Sequence, residues 1–440
     1  MNKFVKLSFA IAMMLAASNN ATAQKSDIVA SWQGVKTLRE VGGNHAPYKA
    51  LASIYIQNNL KQVRINKYST NYQYHDGMLA ISNGETGKWG FIDENGNLLP
   101  GGYKWYTPGI GKYPQFGAGY CIVGLPAAST GSVFKHYDYY ILDKQGKTKK
   151  LAIKDLVTVY PFNNGGIAAV DVGGQRNKFI FFNTQGQQVF KNIVNVADDY
   201  PNGPLGDFNN GWARIKLGTG STFVSPAGTM MPTKFVDAQD FSEGMAAVAV
   251  KTGNGVRWGF INEKGQMVIE PKFSKEPTPF FYGYSVVKKT NDMMVFIDKQ
   301  GNVRGSEAKW YTNFVNGYAL GANYNEVWLV DRQMQRHPLN VGLDHYAVEN
   351  LAKKLPVKTA FDERYIYYET NQWLIYPPTG TVYRMNGFIN GYNDKIDQIG
   401  DKRIHVNVKG QLTGNYPNKT WDGFLDEKGV LIFVFNEEEF

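Results

Sequence analysis

The 440-residue chain holds few side chains whose type and spacing would do chemistry. Its six histidines, His45, His75, His136, His337, His345 and His405, are scattered. No two stand at the His-x-x-x-His spacing that turns two imidazoles toward one zinc ion. His75-Asp76 precedes Gly77, and the matching positions elsewhere read Asn-Asn, Ser-Glu and Val-Asn, which is loop chemistry rather than a catalytic dyad. The lone Cys121 cannot close an internal disulfide and reads as a small core residue. Asp198, Asp199 and Asp207 frame a Gly/Pro-rich loop whose oxygens are candidate calcium ligands, although the spacing departs from an Asp-x-Asp-x-Asp-Gly loop. Neither a Gly-x-Ser-x-Gly elbow nor a Gly-x-x-x-x-Gly-Lys-Ser/Thr loop occurs. Carboxylate pairs for glycoside hydrolysis need no fixed sequence spacing, so that chemistry stays open.

One duplication stands out. Lys104-Trp105-Tyr106-Thr107 and Lys309-Trp310-Tyr311-Thr312 are the same tetrapeptide, each shortly after a turn glycine. Adjacent residues of a strand face opposite ways, so one ring of each pair goes to the core. Trp105, Tyr106, Trp310 and Tyr311 are therefore the candidate ligand-binding residues, by stacking on a sugar or a partner side chain. The alternative is that both Trp residues pack between repeated units.

The elements that must position these residues are themselves repeated. An aromatic residue, two residues and Gly recur as Tyr74–Gly77, Phe116–Gly119, Phe162–Gly165, Phe208–Gly211, Phe241–Gly244, Phe280–Gly283, Phe314–Gly317 and Phe388–Gly391. Phe361-Asp-Glu-Arg364 is a worn copy. A second mark, an apolar strand running into a four-residue turn, follows each: Trp89-Gly-Phe-Ile-Asp-Glu-Asn-Gly96, Phe179–Gly186, Trp258-Gly-Phe-Ile-Asn-Glu-Lys-Gly265 and Met294–Gly301 are examples. In Val327–Met334 the final Gly is lost. From hairpin Gly to turn Gly the first six units span 19, 27, 21, 17, 21 and 18 residues. Two linked marks recurring in order are the signature of a repeat array.

The best-spelled copy is 241–273. Met245–Val250 alternates with period two, Gly259 between Trp258 and Phe260 marks a close backbone approach, and Asn262 opens a turn closed by Gly265. Pro271 ends the last strand or puts it at an edge. These copies, with Val268-Ile-Glu-Pro-Lys-Phe273, resemble the WG-repeat family of bacterial proteins over roughly residues 70–430. The resemblance implies an exported β-rich array without a shared enzymatic activity, and it carries no catalytic residues over.

The expected fold is all-β: tandem three-to-four-stranded repeats, about nine to ten units, in a propeller-like closed array, or alternatively an open β-solenoid. Residues 1–23 read as a secretory signal, with Lys3 and Lys6, an apolar core at 7–17 and Ala21-Thr-Ala23. Residues 24–70 form an N-terminal cap segment in which 47–60 has helical spacing of Leu51, Ile54, Tyr55 and Asn58. Residues 71–339 hold the repeats. Residues 340–360 are a helical insert, capped by Asp344 and stopped by Pro356. Residues 361–440 are degenerate repeats and a closing hairpin that, with the N-terminal segment, closes or caps the array.

The chain carries +9, and removing Lys3 and Lys6 leaves +7. The charge is scattered and makes no nucleic-acid stripe. No stretch is long and apolar enough for a transmembrane anchor. The function expected is an exported, periplasmic or extracellular binding or scaffold protein of the cell envelope, non-catalytic, engaging protein or glycan through repeat loops. The alternative is a hydrolase acting on an envelope polysaccharide, and a third reading is a purely structural surface component. No cofactor beyond the optional calcium is expected.

Overall fold

Nine antiparallel-built sheets follow one another along the described residues. The computed structural model describes the chain except residues 1–25, 32–34, 37–47, 51–52, 66–67, 70–72, 108–112, 128–136, 154–155, 174–178, 199–202, 340–342, 361–362, 372, 385–394, 400–402, 410–419, 427–429 and 438–440. The signal segment, His45, His136, Asp199 and the Phe388–Gly391 copy thus lie outside the described residues.

The fifth sheet shows the rule. Its strands Asp237–Ala238, Met245–Thr252, Gly255–Asn262 and Met267–Phe273 form a meander. Met245–Ala249 is buried on both faces. Ala247 and Ala249 pack toward the sixth sheet with Phe260, Val287 and Val295. Ala246 and Val248 pack toward the fourth sheet with Ile261 and Phe223. Period-two alternation here sorts residues between two neighbours, not between core and water, so both faces are apolar. Opposite Gly259 the last strand bulges: Trp258 pairs with Phe273 but Phe260 with Ile269. Pro271 sits in that bulge on the edge strand, where no ladder donor is required.

Both sequence marks are turns that require left-handed backbone. The aromatic-x-x-Gly mark is a two-residue hairpin in six copies, while in the Phe162 copy the left-handed residue is Gly166 and Asn163 accepts the Gly165 and Ile167 amides. The residue before Gly has a positive φ in Asp76 (50°), Ala118 (48°), Asn210 (51°), Glu243 (52°), Tyr282 (55°) and Asn316 (51°). The following Gly is also left-handed, the pattern of a type I′ turn whose twist matches the flanking strands. In the second mark the opening side chain accepts two backbone amides. Asn262 takes those of Lys264 and Gln266 (3.0 Å each), and Asp298 those of Gln300 (3.0 Å) and Asn302 (2.9 Å). Asp93, Asp143, Asn183 and Asp331 repeat the arrangement. Met334, where the Gly is lost, still holds a φ of 64°.

The Asp298 turn carries a pH expectation. Burial alone would raise its carboxyl, but bonds from Asn302 and Arg304 outweigh it and hold the pKa below the ordinary carboxylate value. A depressed folded pKa gives stability that is present above the unfolded value and lost as pH falls through the folded one. Asp331 is shifted the same way, with burial again opposing and His337 and backbone bonds prevailing. Thermal midpoints should therefore fall below about pH 4. Asp298→Asn, the residue that already serves at 183 and 262, should keep the turn and flatten that acid limb; an unchanged acid limb would remove this account.

Adjacent units are latched through the same two turns, which share one end of each meander because two strands separate them. The left-handed residue of one hairpin binds the next unit. Glu243 accepts the Gly283 amide (2.8 Å) and pairs with Lys299 (3.4 Å) of the next four-residue turn. Asp76 accepts the Gly119 amide and pairs with Lys144 (3.0 Å), again in the next turn. Where the hairpin carries Tyr282, the turn carries Arg332, whose guanidinium lies 5.7 Å from the ring.

The chain ends differ from the repeats. The described residues of 47–60 are not helical: they lie in strands Tyr48–Ala50 and Ser53–Ile65. Pairing decides this. Ser53–Ile65 lies between Ser26–Ser31, antiparallel, and Val430–Glu437, parallel. Tyr48–Ala50 runs parallel to Thr381–Arg384 of the eighth sheet. The last two sheets thus take strands from both ends of the chain. The ninth packs on the first, where Phe424, Phe433 and Phe435 join Leu79, Ile81 and Ile92. Gly96 lies so close to Phe433 that a Cβ would stand 2.7 Å from its ring. The expected helical insert is present as α1, His345–Ala352, capped by Asp344, whose carboxylate accepts the Ala347 amide (2.9 Å).

Candidate functional site

Trp310-Tyr311 is the first strand of the seventh sheet, Trp105-Tyr106 makes isolated bridges to Trp89 of the first sheet and Gly124 of the second, and three of the four rings are core. Trp105 and Tyr311 are each 1% exposed and Trp310 8%. Tyr106 is half-buried and packs on Tyr137 at 5.1 Å. In both copies the Tyr lies across from a glycine of the next strand, Tyr106 from Gly124 and Tyr311 from Gly321. A Cβ on Gly321 would stand 2.6 Å from the Tyr311 ring. The shared tetrapeptide is thus a packing device, and these four rings form no exposed platform.

Trp310 nevertheless lies under a surface that the sequence did not reveal. Tyr318–Asn323 and Glu326–Asp331 are joined by a two-residue tip, Tyr324-Asn325, so Tyr324 projects from the sheet. Helix α1 buries Ala347, Val348, Leu351 and Ala352 against the seventh and eighth sheets. That orientation leaves the two residues after the cap at the surface, His345 half-buried and Tyr346 exposed. The His345 ring stacks over Trp310 at 6.0 Å and 22°, and Tyr324 meets Trp310 edge-on at 5.2 Å. His345 and Tyr346 are 4.0 Å apart. Tyr324 is 62% and Tyr346 61% exposed, among the most exposed large apolar side chains described.

Beside these rings opens a cleft of about 410 Å³, lined by Tyr324, Glu326, Trp328, Arg336, Asp344 and His345 among others. Arg336 lies 4.0 Å over the Trp328 ring and donates to the Glu307 carbonyl (3.1 Å). The floor is therefore aromatic and fixed, and the rim is polar with two carboxylates.

A larger cleft, about 630 Å³, lies at the junction of the first, second and ninth sheets, lined by Asp76, Glu94, Asn97, Lys144 and Arg403 among others. Its charged groups already hold the units together. Asp76 serves the latch, Arg403 donates to the Glu94 carbonyl (3.0 Å), and Lys61 bonds Asn97. It reads as a seam.

The remaining reactive groups are sealed or engaged. Cys121 is 1% exposed and burial raises its thiol pKa, so it is an inert core thiol. His405 pairs with Asp422 (2.6 Å) but is fully buried, and burial pushes its imidazole down to about 3. Asp198 accepts from the Tyr160 hydroxyl, and Asp207 accepts the Asn164 amide (2.8 Å), so both aspartates tie units together. Among the described residues no group of three or more His, Cys, Asp or Glu is placed to hold a metal ion. Nor, among them, is any helix long and apolar enough to cross a membrane.

Residues 258–292 match a family model described as "WG containing repeat", which begins on the Trp258-Gly259 pair. No curated protein matches the chain. Among solved structures the chain is similar to the computationally designed Ika8 protein, at 10% identity over 73% of this chain and 98% of that one, with a TM-score of 0.30. It is similar to BamB from Moraxella catarrhalis at 12% identity over 70% and 98%, with a TM-score of 0.27. It is also similar to Sqt1 from Saccharomyces cerevisiae at 11% identity over 65% and 89%, with a TM-score of 0.32. At these TM-scores the likeness carries no argument.

Proposed function

We propose that the protein is an exported, non-catalytic binding or scaffold protein of the cell envelope, engaging protein or glycan from a closed, propeller-like array. The leader-like residues 1–23 support export. Packing of the ninth sheet on the first supports ring closure. One observation carries the binding reading: two tyrosines more than 60% exposed stand beside a preformed cleft, on a tip and a helix fixed by the seventh sheet. Rings held on rigid elements lose little freedom when a ligand stacks on them.

The test is binding of the mature protein to isolated envelope fractions, with the Tyr324→Ala/Tyr346→Ala double variant alongside. Retention of the wild type and at least a tenfold loss in the variant are expected. Equal retention of both would remove this surface from the reading. Release of soluble fragments from the envelope material would instead establish the hydrolase. Calcium at the 198–207 loop is tested separately, by a thermal midpoint that rises with added calcium and falls with chelator.

A further inference from the structure

Resting on that binding reading, we infer that the cleft beside Tyr324 and His345 takes a neutral oligosaccharide of at least two sugar units. Size is the first argument. A concavity of about 410 Å³ is on the scale of a small-ligand site. A stable protein interface buries on the order of 1,200–2,000 Å² around large apolar anchors. Beside this cleft the strongly exposed apolar side chains are Tyr324 and Tyr346, each carrying a hydroxyl.

Shape is the second argument. His345 lies between Trp310, on which it stacks, and Tyr346, whose ring is 4.0 Å from it at 34°, and Tyr324 stands edge-on to His345 at 6.2 Å, so the outward rings are Tyr324 and Tyr346. Two exposed rings separated by His345 can each meet the C–H face of one sugar, while a single sugar would cover only one of them. Trp310 lies beneath, stacked with His345 and edge-on to Tyr324, so both rest on a buried ring.

Charge is the third argument. Glu326 stands on the rim as a hydroxyl acceptor beside Asp344, whose carboxylate also caps helix α1, and Asn325 supplies an amide that both donates and accepts. Arg336 is the cation at the cleft, and its guanidinium is stacked on Trp328 and bonded to the Glu307 carbonyl and the Tyr311 hydroxyl. Two rim carboxylates against one engaged cation disfavour an anionic polymer. They leave hydroxyl-rich neutral sugars as the matching chemistry, even though the whole chain is basic.

The experiment is calorimetric titration of the mature protein with neutral gluco-, manno-, xylo- and N-acetylglucosamine oligosaccharides of one to six units. Binding by at least one series is expected, tightening from one unit to three. Tyr324→Ala and Tyr346→Ala should each weaken it about tenfold, and Tyr324→Phe should weaken it less than threefold. Trp310→Phe serves as a folding control, read by thermal midpoint. If none of the series binds while the envelope retention above persists and is lost in the double variant, the glycan inference falls and a protein ligand stands. If retention is indifferent to the double variant, the binding reading itself falls.

Discussion

Deleting residues 418–440 is expected to unfold the ninth sheet and to lower the thermal midpoint of the whole chain. Thr420–Leu425 and Val430–Glu437 are the two middle strands of that sheet, so the deletion strips a ladder from Ile404–Lys409 on one side and from Ser53–Ile65 on the other. It also removes Phe424, Phe433 and Phe435 from the core shared with Leu79, Ile81 and Ile92. Truncating one buried Phe costs about 3–5 kcal/mol. Losing three approaches the total stability of an ordinary domain, roughly 5–15 kcal/mol. The readout is thermal melting together with limited proteolysis. New cleavage should appear first within 48–69 and in the first sheet. An unchanged midpoint and cleavage pattern would sink the idea that the chain ends hold the array together. Phe433→Ala is the milder version, with a loss of about 3–5 kcal/mol in urea unfolding.

Gly259→Ala should be the more damaging of two matched glycine substitutions in the fifth sheet. A Cβ at 259 would stand 2.5 Å from the Ile269 carbonyl oxygen and 2.9 Å from the Pro271 nitrogen. Both are backbone atoms of the bulged edge strand, so neither can rotate away. The bulge must open or the Trp258–Phe273 pairing must be lost. We expect a cost of about 3 kcal/mol or more, at the upper end of overpacking effects. Gly253→Ala is the control, because nothing lies within 4 Å of a Cβ there and its φ is not left-handed. It should change stability by less than about 0.5 kcal/mol. Equal effects in urea unfolding would mean that the Trp-Gly pair is not a close-approach device.

The turns were legible in the sequence because their requirements are local. A left-handed residue followed by Gly, or an Asn or Asp that can bond two amides ahead of it, writes its geometry into residue type. Helix α1 was legible for the same reason, with Asp344 at its cap. Residues 47–60 were misread because their apolar spacing fits a helix, while the deciding partner, Val430–Glu437, lies at the far end of the chain. The site was half legible. The repeated Trp-Tyr pair drew attention to Trp310, but repetition marked packing, and the exposed rings are the unrepeated Tyr324 and Tyr346, with a half-buried His345 between them and Trp310. A signal for them existed. Tyr324 occupies a two-residue tip, where any side chain points outward, and 345 and 346 fall outside the buried set 347, 348, 351 and 352 of their helix.

The parallel seat of Ser53–Ile65 beside Val430–Glu437 also sets a timetable. A ribosome adds about 5–20 residues per second, so the early segment waits from roughly twenty seconds to more than a minute before its partner is made. The repeats between them can close on near neighbours as they emerge. Ser26–Ser31 and Ser53–Ile65 can pair with each other, but their sheet stays incomplete until Val430–Glu437 is made, and throughout that interval the second edge of Ser53–Ile65 is unpaired. For this protein a strand made early in translation is among the last to gain its partner.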